Sequence, residues 1–274
     1  MSKIENKKLY PDEETPVLKH YSDFEHVFVG LLPFFKLDKE HCDANSSKKV
    51  ISTQEAQEKD KALKIIENHS NVTSCSSNEY YPSDAEIAQN GKNVNWNEII
   101  QSTKLNDNKE LNKALMTSIG AFKKKLQRKD LLEILNQYSD KNNIWHPSEG
   151  AFDFFTKSSI FEILKLKGIS KVDIEDEFYE NKKTIDLNDL TQRDFCDKID
   201  SKDYYIYDKN KSILFAISWD YFFFFIAINK RVFSKKIIET NFEGFWADEK
   251  SSHLWTWEEG EIDRLLNSEN EELY

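Results

Sequence analysis

Four places in the chain carry residue types that could do chemistry, and each also has a purely structural role open to it. The first is "WHPSEG", where His146 and Glu149 stand three apart ahead of an aromatic run. A histidine and a carboxyl at that spacing could share acid and base work. Glu149 can equally cap the helix expected over "AFDFFTKSSIFEILKLKG". The second is Asp220 beside Trp219, where desolvation against an indole would raise a carboxyl pKa. Helix capping is a sufficient job for that residue too. The third is Glu243 beside Gly244. The fourth is His253, with Asp248 and Glu249 five and four residues earlier in "ADEKSSHLW". Two carboxylates and an imidazole could ligate a metal, but one short loop rarely supplies a closed site. A loop histidine bonded to the backbone is the stronger reading.

Other constellations are weaker. His20, His26, His41, Cys42 and Asp43 match no compact zinc spacing. The chain has seven glycines, none clustered to cradle a phosphate, and no nucleophile elbow. No cofactor or metal is therefore expected. The "KKKLQRK" segment, Lys123 to Lys129, could belong to a basic helix-turn-helix, but those lysines suit a helix C-terminus. The net charge of −11 also opposes general phosphate binding, which disfavours nucleic acid as a partner.

That charge is unevenly placed. Residues 241–274 hold ten acidic and two basic residues, −8 in all, while 109–129 hold seven basic and one acidic, +6. The acidic end is interleaved with aromatics, and Trp246, Asp248, Glu249, Trp257, Glu258 and Glu259 form a candidate face for a basic protein partner. Phe245 and Trp255 are assigned to the lid of a core, and a merely solubilising acidic end remains the competing reading.

The elements that must position these residues follow from pattern. Residues 1–90 read as an N-terminal arm with one or two helices, one of them capped by Ser52 and Glu55, then a Ser/Asn-rich linker. "FEHVFVGLLPFF" (24–35) would dock this arm. Residues 91–274 read as a single α+β domain, with helices over 95–168, a sheet and helix over 169–257, and an acidic tail over 258–274. "NKELNKALMTSIGAFKKKLQ" has helical spacing at Leu111, Leu115, Ile119 and Phe122. "KVDIEDEFYENKKTIDL" and "DYYIYDKNKSILFAISWD" read as hairpins, giving four antiparallel strands. The apolar run Tyr221 to Ile228 falls far short of the ~20 residues that span a bilayer. It is read as the start of a core helix over 221–240, capped by Asp220. The expected fold is thus α+β: a helical N-terminal half, then a four-stranded antiparallel sheet packed by a long C-terminal helix.

Cys42, Cys75 and Cys196 form no CxxC pair and read as reduced thiols. The first sixteen residues lack an apolar h-region. A cytoplasmic protein is expected. With 38 lysines and arginines of which only four are arginine, and many Asn and Ile, the composition suits an A/T-rich, bacterial genome.

The segments "LNKALMTSIGAFKKKL", "IWHPSEGAFDFFTKSSIF", "DEFYENKKTIDL", "DYYIYDKNKSILFAISWDYFFFF" and "NFEGFWADEKSSHLW" together resemble an uncharacterised bacterial family, domain of unknown function 2711. The order of strand, "WD", aromatic run, "EGF" and acidic "HxW" loop is also loosely similar to immunity proteins of bacterial toxin systems. Neither resemblance brings catalytic residues. The resulting expectation is a non-catalytic, immunity-like protein-binding protein. The alternative is a metal-assisted or acid/base hydrolase, and a DNA-associated regulator comes third.

Overall fold

The structure is a computed structural model that describes residues 8–13, 15–38, 50–52, 73–75 and 81–267. In chain order its elements are α1 (Val17–His20), β1 (His26–Leu31), β2 (Phe34–Leu37), β3 (Val50–Ser52) and β4 (Thr73–Cys75). Then come α2 (Asp84–Asn90), β5 (Gly91–Val94), α3 (Trp96–Ser102), α4 (Asn108–Ser118), α5 (Lys129–Asn142) and β6 (Ile144–Trp145). These lead to α6 (Phe154–Leu166), β7 (Lys171–Asp176), β8 (Lys182–Asp186), α7 (Gln192–Lys198), β9 (Asp203–Asp208) and β10 (Ile213–Ile217). The last are β11 (Phe223–Ile228), α8 (Lys235–Asn241), β12 (Gly244–Trp246) and α9 (Glu261–Asn267). The described residues fall into two compact units, 1–33 with 147–255, and 34–146 with 256–274.

The first unit is built on an antiparallel seven-stranded sheet in the order β12-β1-β11-β10-β9-β7-β8. This corrects the expected four-stranded sheet with a long C-terminal helix. The two hairpins are present as β7–β8 and β9–β10, but "YFFFFIAI" is strand β11 rather than a helix. All six β11 residues are buried. A strand buried on both faces reads as an unbroken apolar run, so the alternation that marks an amphipathic strand is erased. Asp220 caps no helix; it takes a left-handed φ of 61° in the β10–β11 turn. The helix that does follow is the short α8. Segment 24–35 supplies β1, hydrogen-bonded between β11 and β12, and β2 of the other unit.

Registry sorts the sheet into two faces. Phe224, Ile226 and Ile228 of β11 share a face with Phe215, which pairs with Ile226. Phe152, just before α6, packs edge-on against Phe224 at 5.5 Å, and Phe242, at the end of α8, lies 5.8 Å from Phe224 and 6.0 Å from Phe215. Asp153 caps α6, accepting the Phe155 and Thr156 amides at 2.7 and 3.1 Å. On the opposite face stand Phe223 and Phe225, then Leu214 and Tyr207, then Asp173. Tyr10 and Tyr21 from the N-terminal segment cover Phe225, and Trp255 covers Phe223. This face grades from aromatic at its centre to polar at β7–β8.

The second unit holds a small sheet, β5-β2-β6, and helices α3, α4 and α5. Strand β3 pairs with β4. The expected helix from Ser52 lies, beyond Ser52 itself, outside the described residues, as does most of the linker. Helix α4 stops at Ser118 instead of running on to Gln127. Gly120 there adopts φ 71°, and the Ala121 amide returns to the Met116 carbonyl at 3.1 Å, a glycine-terminated helix end. "KKKLQRK" therefore forms a single 3-10 turn, Lys124–Leu126, before α5, and not the C-terminal turn of a helix.

Candidate functional site

One end of the large sheet carries exposed aromatic side chains. Asp176 at the end of β7 pairs with Asp203 at the start of β9, and Ala216 near the end of β10 pairs with Tyr205. The turns 177–181 and 218–222 therefore leave the sheet at the same end. The first is fixed by the Asp176 carboxylate, which accepts the Glu180 amide at 2.9 Å and the Asn181 side chain at 2.6 Å. The second is braced by Gly150, whose amide donates to the Tyr221 carbonyl at 2.9 Å. A Cβ at Gly150 would stand 3.1 Å from the Trp219 Cα, so the 147–151 loop approaches this turn closely.

On these turns Phe178 is 72 % exposed and Trp219 62 % exposed, while Tyr179 stacks on Tyr205 with centroids 5.3 Å apart. Carboxylates accompany them. The buried Tyr204 phenol is pushed up to about 12 by desolvation and then by the charges of Glu177 and Asp220, so both carboxylates act on this one ring. Exposed Glu149 precedes Gly150.

A cavity of about 390 Å3 opens on the polar part of the second face. From the N-terminal segment Lys8, Leu9, His20, Tyr21, Asp23 and Phe24 line it. From the sheet come Glu175, Tyr179, Tyr207, Lys211 and Leu214. Two tyrosines fasten the segment: the Leu9 amide donates to the Tyr179 hydroxyl at 2.7 Å, and the Tyr21 hydroxyl donates to the Leu9 carbonyl at 2.8 Å. Beneath it, Lys182 donates to the Tyr207 hydroxyl at 2.7 Å and pairs with Asp173 at 3.1 Å and Glu175 at 3.2 Å. The Tyr207 hydroxyl in turn donates to Glu175. The bond to Tyr207, ahead of those to the two carboxylates, raises the Lys182 pKa and keeps it cationic.

The expected site residues are scattered. His146 lies in the second unit, its Nε2 2.9 Å from the Ser139 hydroxyl; Glu149, Asp220, Glu243 and His253 lie in the first. Half-buried Glu243 receives the Leu31 amide on its carbonyl at 2.9 Å. His253 is buried, bonded through Nε2 to the Tyr221 hydroxyl, and desolvation lowers its pKa to about 4. Its Nδ1, the Tyr10 hydroxyl and the Trp255 indole nitrogen have no hydrogen-bond partner among the described residues. Asp248 holds the Lys250 amide at 2.9 Å and the Ser251 hydroxyl at 2.8 Å, a loop-forming role, and Glu249 is exposed. Trp246 donates to Glu239 at 2.7 Å under the Lys235 ammonium, 4.6 Å from its ring. His20 lines the cavity and His26 packs on Trp246, while His41, Cys42 and Asp43 lie outside the described residues. No group of three His, Cys, Asp or Glu side chains is placed to hold a metal ion among the described residues.

The acidic tail meets the basic block of its own unit. Glu258 pairs with Lys109, Glu261 with Lys113 at 2.9 Å, and Lys125 donates to the Leu266 carbonyl at 3.0 Å. Trp257 is buried, with the Lys113 ammonium 4.1 Å from its ring and Phe122 at 5.1 Å. Glu259 is exposed. Sequence reading missed Phe178, Tyr179, Tyr207, Glu175 and Lys211. The signal was the alternation in "KVDIED" and "DYYIYD", which puts Asp173, Glu175, Tyr205 and Tyr207 on one face.

The chain belongs to the family described as Protein of unknown function (DUF2711), whose model matches residues 13–257. It is similar to the uncharacterized protein YwbB of Bacillus subtilis (strain 168), with 28% identity over 176 residues, 64% of this chain and 77% of that one. No solved structure matches it. No helix among the described residues is long and apolar enough to cross a membrane.

Proposed function

We propose that this is a non-catalytic binding protein that seats a basic polypeptide on the end of its large sheet. One observation carries the reading: Phe178 and Trp219 stand largely in solvent on two rigid turns at the same sheet end. Scattered exposed apolar residues are ordinary, but Trp and Phe presented on rigid turns at one sheet end make efficient binding anchors. Glu177, Asp220 and Glu149 give the rim a negative sign that steers a cationic partner, and the rings offer cation–π contacts to its Lys or Arg side chains. Trp246 and Trp257 yield to these as anchors because each already lies against a lysine of its own unit. The immunity-like version of the reading makes the partner a toxin.

A photo-crosslinking amino acid placed at position 219 or 178 tests this in the native host. Leu166 on α6, 68 % exposed, supplies the control position. The expected result is the same discrete, basic adduct from 219 and 178 and none from 166. Adducts equally abundant from all three positions, or from none, would discard the proposed face.

A further inference from the structure

We infer that the cavity under the N-terminal segment is a binding site for a small organic anion with an aromatic body. It adjoins the sheet-end rim, sharing the 177–181 turn through Tyr179, but the inference does not depend on the partner reading. The volume, about 390 Å3, lies within the roughly 300–1,000 Å3 typical of small-molecule pockets. Its walls suit a flat apolar body: Leu9, Tyr21 and Phe24 on one side, Leu214 and the rings of Tyr179 and Tyr207 on the other.

One lysine of the lining, Lys211, selects the sign. Glu175 accepts the Tyr207 hydroxyl and shares Lys182 with Asp173, so its oxygens are engaged beneath the cavity. Lys8 pairs with Asp12 at 2.8 Å, and Asp23 is exposed to solvent that screens it. Lys211 alone among the lining lysines forms no ion pair with the described residues.

The backbone that carries it is fixed. Lys211 sits at φ 50° in the β9–β10 turn, with its amide on the Asp208 carbonyl at 2.9 Å. The buried Asp208 carboxylate ties down that turn through the Asn210 and Ile213 amides at 3.1 and 3.0 Å. Leu9 on the opposite wall is held at both its amide and its carbonyl by Tyr179 and Tyr21. The walls are therefore in place before a ligand arrives, which limits the ordering cost of binding.

Calorimetry with three probes on the full chain tests the site: phenylacetate, its uncharged analogue phenylacetamide, and the cation phenethylamine. Phenylacetate should bind with one-to-one stoichiometry, at least about tenfold more tightly than either of the others. Lys211→Gln, an exposed turn substitution, should weaken it about tenfold, and Leu9→Trp, which fills the mouth, should abolish it while the far-ultraviolet dichroism stays unchanged. Failure of phenylacetate to bind at millimolar concentration overturns the assignment. So does equal binding of the amide, or affinity that survives both substitutions.

Discussion

At the residue scale, two buried polar side chains next to the sheet's aromatic face make opposite demands on stability. The Tyr10 hydroxyl is buried without a partner among the described residues, and burial drives its pKa up, so it stays neutral. A buried, unsatisfied hydroxyl costs about 1–3 kcal/mol. Tyr10→Phe keeps the ring on Phe225 and is expected to be neutral or to raise the urea midpoint. A loss beyond about 1 kcal/mol would show that the hydroxyl is satisfied. His253 behaves differently because it titrates. Its folded pKa is about 4 against 6.5 for the unfolded chain, so the unfolded state binds more protons between those values. Its contribution is complete above pH 6.5 and is lost as the pH falls toward 4, on the order of 3 kcal/mol in all. Denaturation at pH 7 and pH 5 should therefore show a smaller acid-induced loss in His253→Gln than in the parent chain. Identical losses would mean that the imidazole is not desolvated in the folded state.

At the element scale, the strand trio β12-β1-β11 depends on glycine at two paired positions. Gly30 pairs with Phe224 on one side and Gly244 on the other. A Cβ at Gly30 would fall 2.6 Å from the Phe224 ring, and one at Gly244 would fall 1.9 Å from the Val29 carbonyl oxygen. Gly30→Ala should cost about 1–3 kcal/mol through overpacking. Gly120→Ala, with open space around it, should cost only what its φ of 71° imposes, about 1–2 kcal/mol. Chemical denaturation of both variants checks the costs, and a Gly30→Ala loss below about 1 kcal/mol would contradict the packing. The same strands show what was legible in the sequence. Hairpins β7–β8 and β9–β10 have polar turns and one face partly polar, so alternation announced them. Helices α3, α5 and α6 were legible from their periodicity. Strand β11 is covered on both sides, which leaves eight apolar residues in a row and no period to choose strand over helix. The cavity was hidden for another reason: its lining comes from residues 8–24 and 175–214, a pairing that exists only once the sheet has formed. The exposed turn aromatics were masked because Asp220 was expected to cap a helix from Tyr221 and Phe178 to lie in a strand before the "ENKK" turn.

At the scale of the whole molecule, the two charge blocks of the sequence are partners within one unit. The acidic tail read as a lure for a basic protein, yet Glu258 and Glu261 already meet Lys109 and Lys113, and Lys125 reaches a carbonyl of α9. The Lys113 side chain is only 10 % exposed and its Glu261 partner 25 %, so this pair is less screened than an ordinary surface one. A chain of net charge −11 should then show little affinity for polyanions, because Lys109 and Lys113 of its +6 segment are taken up by its own carboxylates. The double substitution Glu258→Lys with Glu261→Lys should uncover that segment. Glu133→Lys with Glu162→Lys changes the net charge equally on other helices and serves as the control. On a heparin column at low salt, the first variant should be retained and the second should elute with the parent chain. Trypsin should also cut the first variant faster within 109–129, since its Lys113 and Lys109 ammonium groups would now face like charges. Equal retention of both variants would mean that net charge alone, and not the pairing of tail with α4, sets the behaviour of this surface.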